Sequence, residues 1–268
     1  NARSVVICLS LDPETLDPTM AASAAIGAVV HGNIFEGLTK LQENGIVEPL
    51  LAESWTVSPE GTRYKFHIKK TVRFHDSARY AADTVKFSFE RAKQKNARNK
   101  LQATLFNNIV DILIHDVHTV ELILEYPDPN LLFRLAENPA VILHPRTAGQ
   151  ASHHPVGTGP YMFATRTPGD SITLKKWPDH RRAASIQIDS AEFRCIAEPE
   201  EQVRAVLDGH VDNLFNYATP SITRFLSSDR YEVLIGTSTG KTMLALNRRR
   251  PPLHDRRVRQ AIPHAIDR

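Results

Sequence analysis

The sequence predicts an α/β fold with an antiparallel β plus α block set into its middle, and three patterns predict it. Near-continuous apolar runs alternate with helical stripes toward both ends, as strands of a covered parallel sheet do. Between residues 46 and 126 the apolar spacing drops toward two, the period of half-buried antiparallel strands. Residues 191–215 then read strand, helix, strand, a compact βαβ unit whose strands should be parallel with a right-handed crossover. The length of 268 residues at roughly 150 per domain gives about 1.8, so one large or two modest domains are expected.

Each element follows from its residues. Arg3 to Leu11 is an apolar run ended by Asp12-Pro13, and a second Asp17-Pro18 precedes the small residues Ala21 to Ala25, which lead into a helix from about Ile26 to Phe35. Trp55 and Val57 alternate before Ser58-Pro59-Glu60-Gly61, and Tyr64, Phe66 and Ile68 alternate after it, so a hairpin closed by a Pro/Gly turn is expected. A strand follows at Val72 to Phe74. Val85, Phe89 and Ala92 recur at helical spacing, with Asp83 near the positive end of the helix dipole. Ile112 and Ile114, then Val120, Leu122 and Leu124, alternate around a turn expected at His115-Asp116. Ala191, Phe193 and Cys195 share one strand face. Pro199 suits the first helical position, Val203, Val206 and Leu207 form the buried stripe, Gly209 ends the helix, and Val211 to Phe215 is the next strand. Ligands of open α/β sheets sit beyond the carboxyl ends of the strands, which is where Asn216 and Tyr217 fall. At the end of the chain Val258, Ala261, Ile262, Ala265 and Ile266 make one helical stripe that Pro263 should kink.

Composition excludes several classes. A net charge of +3 is too small over this length to imply a nucleic-acid partner, and no apolar run approaches the roughly 18 residues that span a bilayer. Two cysteines, Cys8 and Cys195, allow two buried thiols or one bridge, but neither a disulfide scaffold nor a four-cysteine metal site. No nucleophile elbow, His-Glu-x-x-His or Walker sequence occurs, so an enzyme is the weakest reading. Gly157-Thr158-Gly159-Pro160 lacks the lysine of a phosphate loop and reads as a tight turn into a strand at Tyr161. His115 with His118 and the adjacent His153-His154 read as structural or solvated rather than metal-binding. Neither a cofactor nor a resident metal is expected. Arg248-Arg249-Arg250 before Pro251-Pro252 reads as a solvated basic linker, or as a patch that docks to an acidic surface.

Seven short motifs occur in order along the chain. They are Leu16-Asp17-Pro18, residues 33–38 (NIFEGL), residues 49–55 (PLLAESW), residues 72–76 (VRFHD), residues 82–89 (ADTVKFSF), residues 157–161 (GTGPY) and residues 255–261 (DRRVRQA). Together they resemble the extracellular solute-binding proteins of peptide and nickel ABC importers, family 5. The resemblance departs at Ser77, where the family turn has Gly, at Arg79 for Pro, at Thr84 for a second Asp, and near His180-Arg181, where a Tyr-Trp pair is usual.

The resemblance implies a non-enzymatic receptor of the periplasmic-binding-protein type (class II, cluster C), which closes two lobes around a solute and hands it to an ABC permease. A periplasmic or lipid-anchored location is implied, with any signal peptide already removed. It implies residues 1–35 and 155–245 as a discontinuous lobe I, 36–154 as the accessory subdomain, and 246–268 as the hinge and first helix of a lobe II that is largely missing. Family members are about twice this long, so a truncated form impaired in enclosing its ligand is expected. The ligand wall implied here is Met20, Ala21, Ala22, Ser23 and Ala24, then Asn216 with Tyr217, then Gly240 with Lys241. Di- or oligopeptides are the expected solutes, a nickel or metal-chelate receptor is the alternative, and Met20 is the soft ligand such a receptor could use. A third reading is an oligomeric interaction module without transport activity, a homodimer formed through Val258, Ala261, Ile262, Ala265 and Ile266.

Overall fold

The structure, a computed structural model, describes residues 3–94, 105–214, 222–234 and 244–266. The chain divides into two compact units, Asn1–Thr219 and Pro220–Arg268. The first unit opens with β1 (Ser4–Leu9), half-buried at Val5 to Ile7 and buried at Cys8 and Leu9, so it is covered less completely than its apolar run predicts. Helix α1 (Ala24–Val30) begins where the Ser23 hydroxyl accepts the Ala25 N–H. It stops at Val30 rather than Phe35. Gly32 takes a φ of +72°, which glycine adopts without Cβ strain, and the Asn33 amide donates to the Val29 carbonyl to close the helix end.

The middle of the chain builds a separate sheet. After the short hairpin β2 (Thr39–Leu41) and β3 (Val47–Pro49), strands β4 (Ala52–Val57) and β5 (Arg63–Ile68) pair around a turn in which Gly61, at φ +70°, donates to the Ser58 carbonyl. Helix α2 (Ala82–Ala92) carries Asp83 in its first turn, and the Thr84 hydroxyl reaches back to the Ala81 backbone in place of the carboxylate that the family motif would supply. Strands β6 (Ile109–Asp116) and β7 (Thr119–Leu124) complete the antiparallel order β4-β5-β7-β6. Val85, Phe89 and Ala92 of α2 are buried with Tyr64, Phe66, Ile112, Val120 and Leu122 of the sheet, which is the core the period-two and period-3.6 patterns predicted.

Two local expectations are corrected here. The β6–β7 turn falls at Val117-His118 rather than His115-Asp116, because Asp116 Oδ1 accepts the His118 N–H at 2.7 Å and fixes the loop two residues later. His115 therefore stays in β6, with Nε2 2.7 Å from Glu121 Oε2. Val72 to Phe74 forms no strand; Arg73 makes an isolated bridge to Arg79, and buried Val72 and Phe74 anchor the turn between them. In that turn Ser77 has a φ of +66°, the left-handed region a Cβ disfavours by about 1–2 kcal/mol. Ser77→Gly is therefore expected to stabilise the chain by about 0.5–1 kcal/mol. Urea unfolding checks this, and an unchanged or lowered midpoint would reject it.

The chain then returns to the first sheet through α3 (Leu131–Arg134) and short 3-10 turns at Asn138–Ala140 and Ala148–Gln150. Strands β8 (Tyr161–Thr167), β9 (Ser171–Lys176) and β10 (Ser190–Cys195), helix α4 (Pro199–Leu207) and strand β11 (Asn213–Leu214) follow. The sheet order is β11-β1-β10-β9-β8. β10 and β11 are both parallel to β1 and lie on either side of it, so the predicted βαβ unit crosses over the first strand instead of pairing its own two strands. Pro199 opens α4 and Gly209, at φ +75°, follows its end, as predicted. A second apolar core gathers Leu9, Ile26, Val29, Val30, Ile172, Leu174, Ala191 and Phe193.

The second unit contains α5 (Ile222–Leu226) and α6 (Arg256–Ala265), the latter capped by Asp255, whose Oδ1 accepts the Arg257 N–H at 2.8 Å. Pro263 lies inside α6, and no residue of α6 is buried. No described helix is long and apolar enough to cross a membrane.

Candidate ligand-binding cleft

The loop after β1 is held by buried charge. Asp17 is 1% exposed, and its carboxylate accepts the Thr19 N–H and hydroxyl at 2.8 and 2.6 Å while meeting Arg91 Nη2 of α2 at 3.1 Å. Arg91 Nη1 also donates to the Thr19 hydroxyl. Leu16 is fully buried beside them, so the Leu16-Asp17-Pro18 motif is a structural clamp. At the start of the loop Asp12 receives Arg166 Nη2 at 3.0 Å and the Gly169 N–H at 2.9 Å. Burial raises the pKa of the neighbouring Cys195 thiol to about 11, with the Asp12 carboxylate adding to the effect, and the Cys8 thiol is likewise raised by burial. Both cysteines are free, so the open choice between thiols and a bridge resolves to two protonated thiols.

This fixed loop forms one side of a cleft of about 560 Å³. Ala21, Ala22, Ser23 and Ala24 line it together with Gly27 and His31 of the α1 region, and Leu105, Arg134 and residues 136–139 line the other side. Gly27 permits the close approach, since a Cβ there would come within 3.0 Å of Asn138 Nδ2. Burial lowers the His31 pKa, which favours the neutral ring, and raises the Glu137 pKa against the opposing pull of Arg134. Arg134 is itself engaged, Nη1 lying 3.3 Å from Asp128 Oδ2.

Of the residues predicted for the ligand wall, Ala21 to Ala24 are brought together on this cleft and Met20 is not part of its lining. Asn216, Tyr217, Gly240 and Lys241 lie outside the described residues. The opposing side, Arg134 with Glu137 to Pro139, was not singled out from sequence. Its only signal was the Asn138-Pro139 turn pair, which marks a break without saying what it faces.

A second polar knot ties residues 33–36 and His75 to residues 157–161. Gly159 N–H donates to Ile34 O and Tyr161 N–H to Asn33 O, both at 2.9 Å, so the bend predicted at residues 157–160 leads into the strand that starts at Tyr161 and runs along residues 33–34. His75 Nδ1 accepts the Gly157 N–H at 3.3 Å and Nε2 faces the Gly159 carbonyl at 2.9 Å, which suits the neutral Nε2–H tautomer. Burial lowers its pKa to about 4. Beside it, Glu36 takes a bidentate pair from Arg181 at 2.9 and 2.7 Å and a hydroxyl from Thr158 at 3.0 Å. Burial, with Arg181 and Arg182 nearby, lowers the His180 pKa to about 3. The remaining predicted histidines serve structure: His118 Nε2 lies 2.9 Å from Arg79 Nη2, and His154 packs edge-on to Phe163. Among the described residues no group of three or more His, Cys, Asp or Glu is placed to hold a metal ion.

Comparison with known proteins places this geometry in context. The family model of the bacterial extracellular solute-binding proteins, family 5, matches residues 47–268. The glutathione-binding protein GsiB of Salmonella choleraesuis is 26% identical over 272 aligned residues, covering 100% of this chain and 52% of its own length. Among solved structures, NikZ of Campylobacter jejuni in complex with Ni(L-His) superimposes with a TM-score of 0.87 at 24% identity, covering 98% of this chain and 53% of the other. The dipeptide-binding protein of Pseudoalteromonas sp. SM9913 in complex with Met-Leu gives 0.85 at 20% identity, covering 99% and 57%. At those identities the two structures show the fold alone. The chain thus spans about half the length of the curated relatives it matches. Nothing in these comparisons supports self-association through Val258, Ala261, Ile262, Ala265 and Ile266.

Proposed function

Because the chain belongs to the bacterial extracellular solute-binding proteins of family 5, we propose that it supplies one wall of the solute site in the binding component of an ABC importer. The observation that carries this reading is the cleft between the Ala21–Ala24 loop and residues 134–139, which follows the carboxyl end of the parallel strand β1. In this reading residues 1–35 and 155–245 make lobe I, 36–154 the accessory subdomain, and 246–268 the hinge and first helix of lobe II. The receptor works outside the cytoplasmic membrane, periplasmic or lipid-anchored. Capture, lobe closure and delivery to the permease leave the solute chemically unchanged.

Peptides rank ahead of nickel chelates, since the loop presents methyl groups to the cleft and the single thioether, Met20, lies outside its lining. A solute resting on one wall stays wet, so its polar contacts compete with water and little apolar area is buried. Dipeptides are therefore expected to bind the 268-residue chain with a Kd above about 100 μM, shifting the amide resonances of Ala21 to Ala24 in NMR titration. Submicromolar affinity would contradict the one-wall reading. Shifts confined to other parts of the chain would remove the cleft from it.

A further inference from the structure

The arginine run at residues 248–250 is not part of the cleft lining, and the structure gives it a setting of its own. Residues 244–266 carry six arginines against one carboxylate, a balance of +5 in a chain whose whole balance is +3, so the remaining residues sum to −2. Within this stretch Arg248, Arg249, His254 and Arg259 line a concavity of about 560 Å³ with Leu246 and Asn247, and no acid belongs to that lining. Short-range bonds hold the arginines there. Asn247 Oδ1 accepts the Arg249 N–H at 3.0 Å and the Asn247 carbonyl accepts the Arg250 N–H at 3.1 Å. Arg259 Nη1 donates to the Leu253 and His254 carbonyls at 2.7 and 2.9 Å, which anchors a half-buried guanidinium and leaves its Nε and Nη2 without a described acceptor. The side chains of Arg248 and Arg249 donate to no described residue. Asp255, the one acid of the stretch, is already engaged, capping α6 and taking Arg257 Nη2 at 2.8 Å. Three guanidinium groups on one concave surface repel one another, and an anion between them relieves that repulsion while accepting from donors already in place.

We infer that residues 246–259 form a second binding site, which takes a compact oxyanion of two or more negative charges, of the phosphate-ester or polyphosphate class. The volume lies in the range that holds a small ligand rather than a lone ion. The arginines come from two segments, 248–249 and 259, and a tetrahedral phosphoryl group offers acceptors in several directions where a planar carboxylate offers them in one plane. The site lies wholly within the second unit and stands whether or not the cleft binds the solute.

The test is an NMR titration of the full chain with pyrophosphate at low ionic strength, read at the backbone amides of Arg248, Arg249, His254 and Arg259. Pyrophosphate is expected to shift these amides saturably, and acetate at matched ionic strength to leave them nearly unmoved. Arg248→Gln combined with Arg249→Gln should weaken pyrophosphate binding about tenfold or more, through the loss of two charge-assisted contacts. Arg250→Gln combined with Arg256→Gln removes the same net charge from positions outside the lining and should weaken it by less than about threefold. All four side chains are exposed, so both double variants should fold as the wild type does. Equal losses from the two double variants would mean diffuse attraction to a basic surface and overturn the site, as would shifts that grow linearly with pyrophosphate and never saturate. Co-sedimentation with phosphatidylglycerol vesicles, without a saturable response to pyrophosphate, would assign the arginines to a membrane surface and overturn it too.

Discussion

Replacing Gly157 by alanine is expected to destabilise the chain by about 3 kcal/mol or more, enough to leave little folded protein if its stability is ordinary. A Cβ at that position would lie 1.9 Å from the Ile34 carbonyl oxygen and 2.9 Å from a ring carbon of Phe35. Both obstacles belong to the fully buried stretch Ile34-Phe35, and the backbone cannot retreat without breaking the Gly159–Ile34 and Tyr161–Asn33 hydrogen bonds. Gly149, where an added Cβ meets nothing within 4 Å, is the control and should tolerate alanine within about 0.5 kcal/mol. Thermal unfolding of the two variants compares them directly. Equal melting temperatures would show that residues 33–35 can shift, and that they are less firmly joined to residues 157–161 than the geometry implies.

The second large effect is expected from Arg181→Met, which keeps much of the side-chain length and removes the guanidinium. Glu36, 1% exposed in the wild type, then keeps the Thr158 hydroxyl as its hydrogen-bond donor among the described residues, and losing the partner of a buried carboxylate costs about 3–5 kcal/mol. The double variant Glu36→Gln with Arg181→Met should recover a good part of that loss, because it removes the stranded charge as well as the pair. Urea midpoints for the two single variants and the double close the cycle. Strict additivity of the losses would mean the two side chains do not act as a pair.

Much of the architecture was legible because periodicity is a local signal. The Ser58–Gly61 turn, the stripe Val85, Phe89 and Ala92, and the Pro199 and Gly209 ends of α4 each depend on residues within a few positions of one another. What failed depended on partners far along the chain. The turn between β6 and β7 is the local exception: the alternating block did not show that Asp116 would accept the His118 N–H two residues on and move the turn to Val117-His118. Nor could residues 191–215 reveal that a strand nearly two hundred residues earlier would insert between β10 and β11. One side of the cleft was readable from the small residues Ala21 to Ala24. The other side was not, because Arg134 and Glu137 matter only once α1 and the turn after α3 are brought face to face.

The position of β1 also sets an order of assembly. Its neighbours in the sheet are residues 190–195 and 213–214, so its loop-closure entropy is lost only when most of the chain is available. The four-stranded sheet draws every strand from residues 52–124 and can form while the amino-terminal strand still waits for its partners. As the chain emerges amino end first, the inserted block can form before the flanking sheet, and β1 stays unpaired until residues 190–214 follow it.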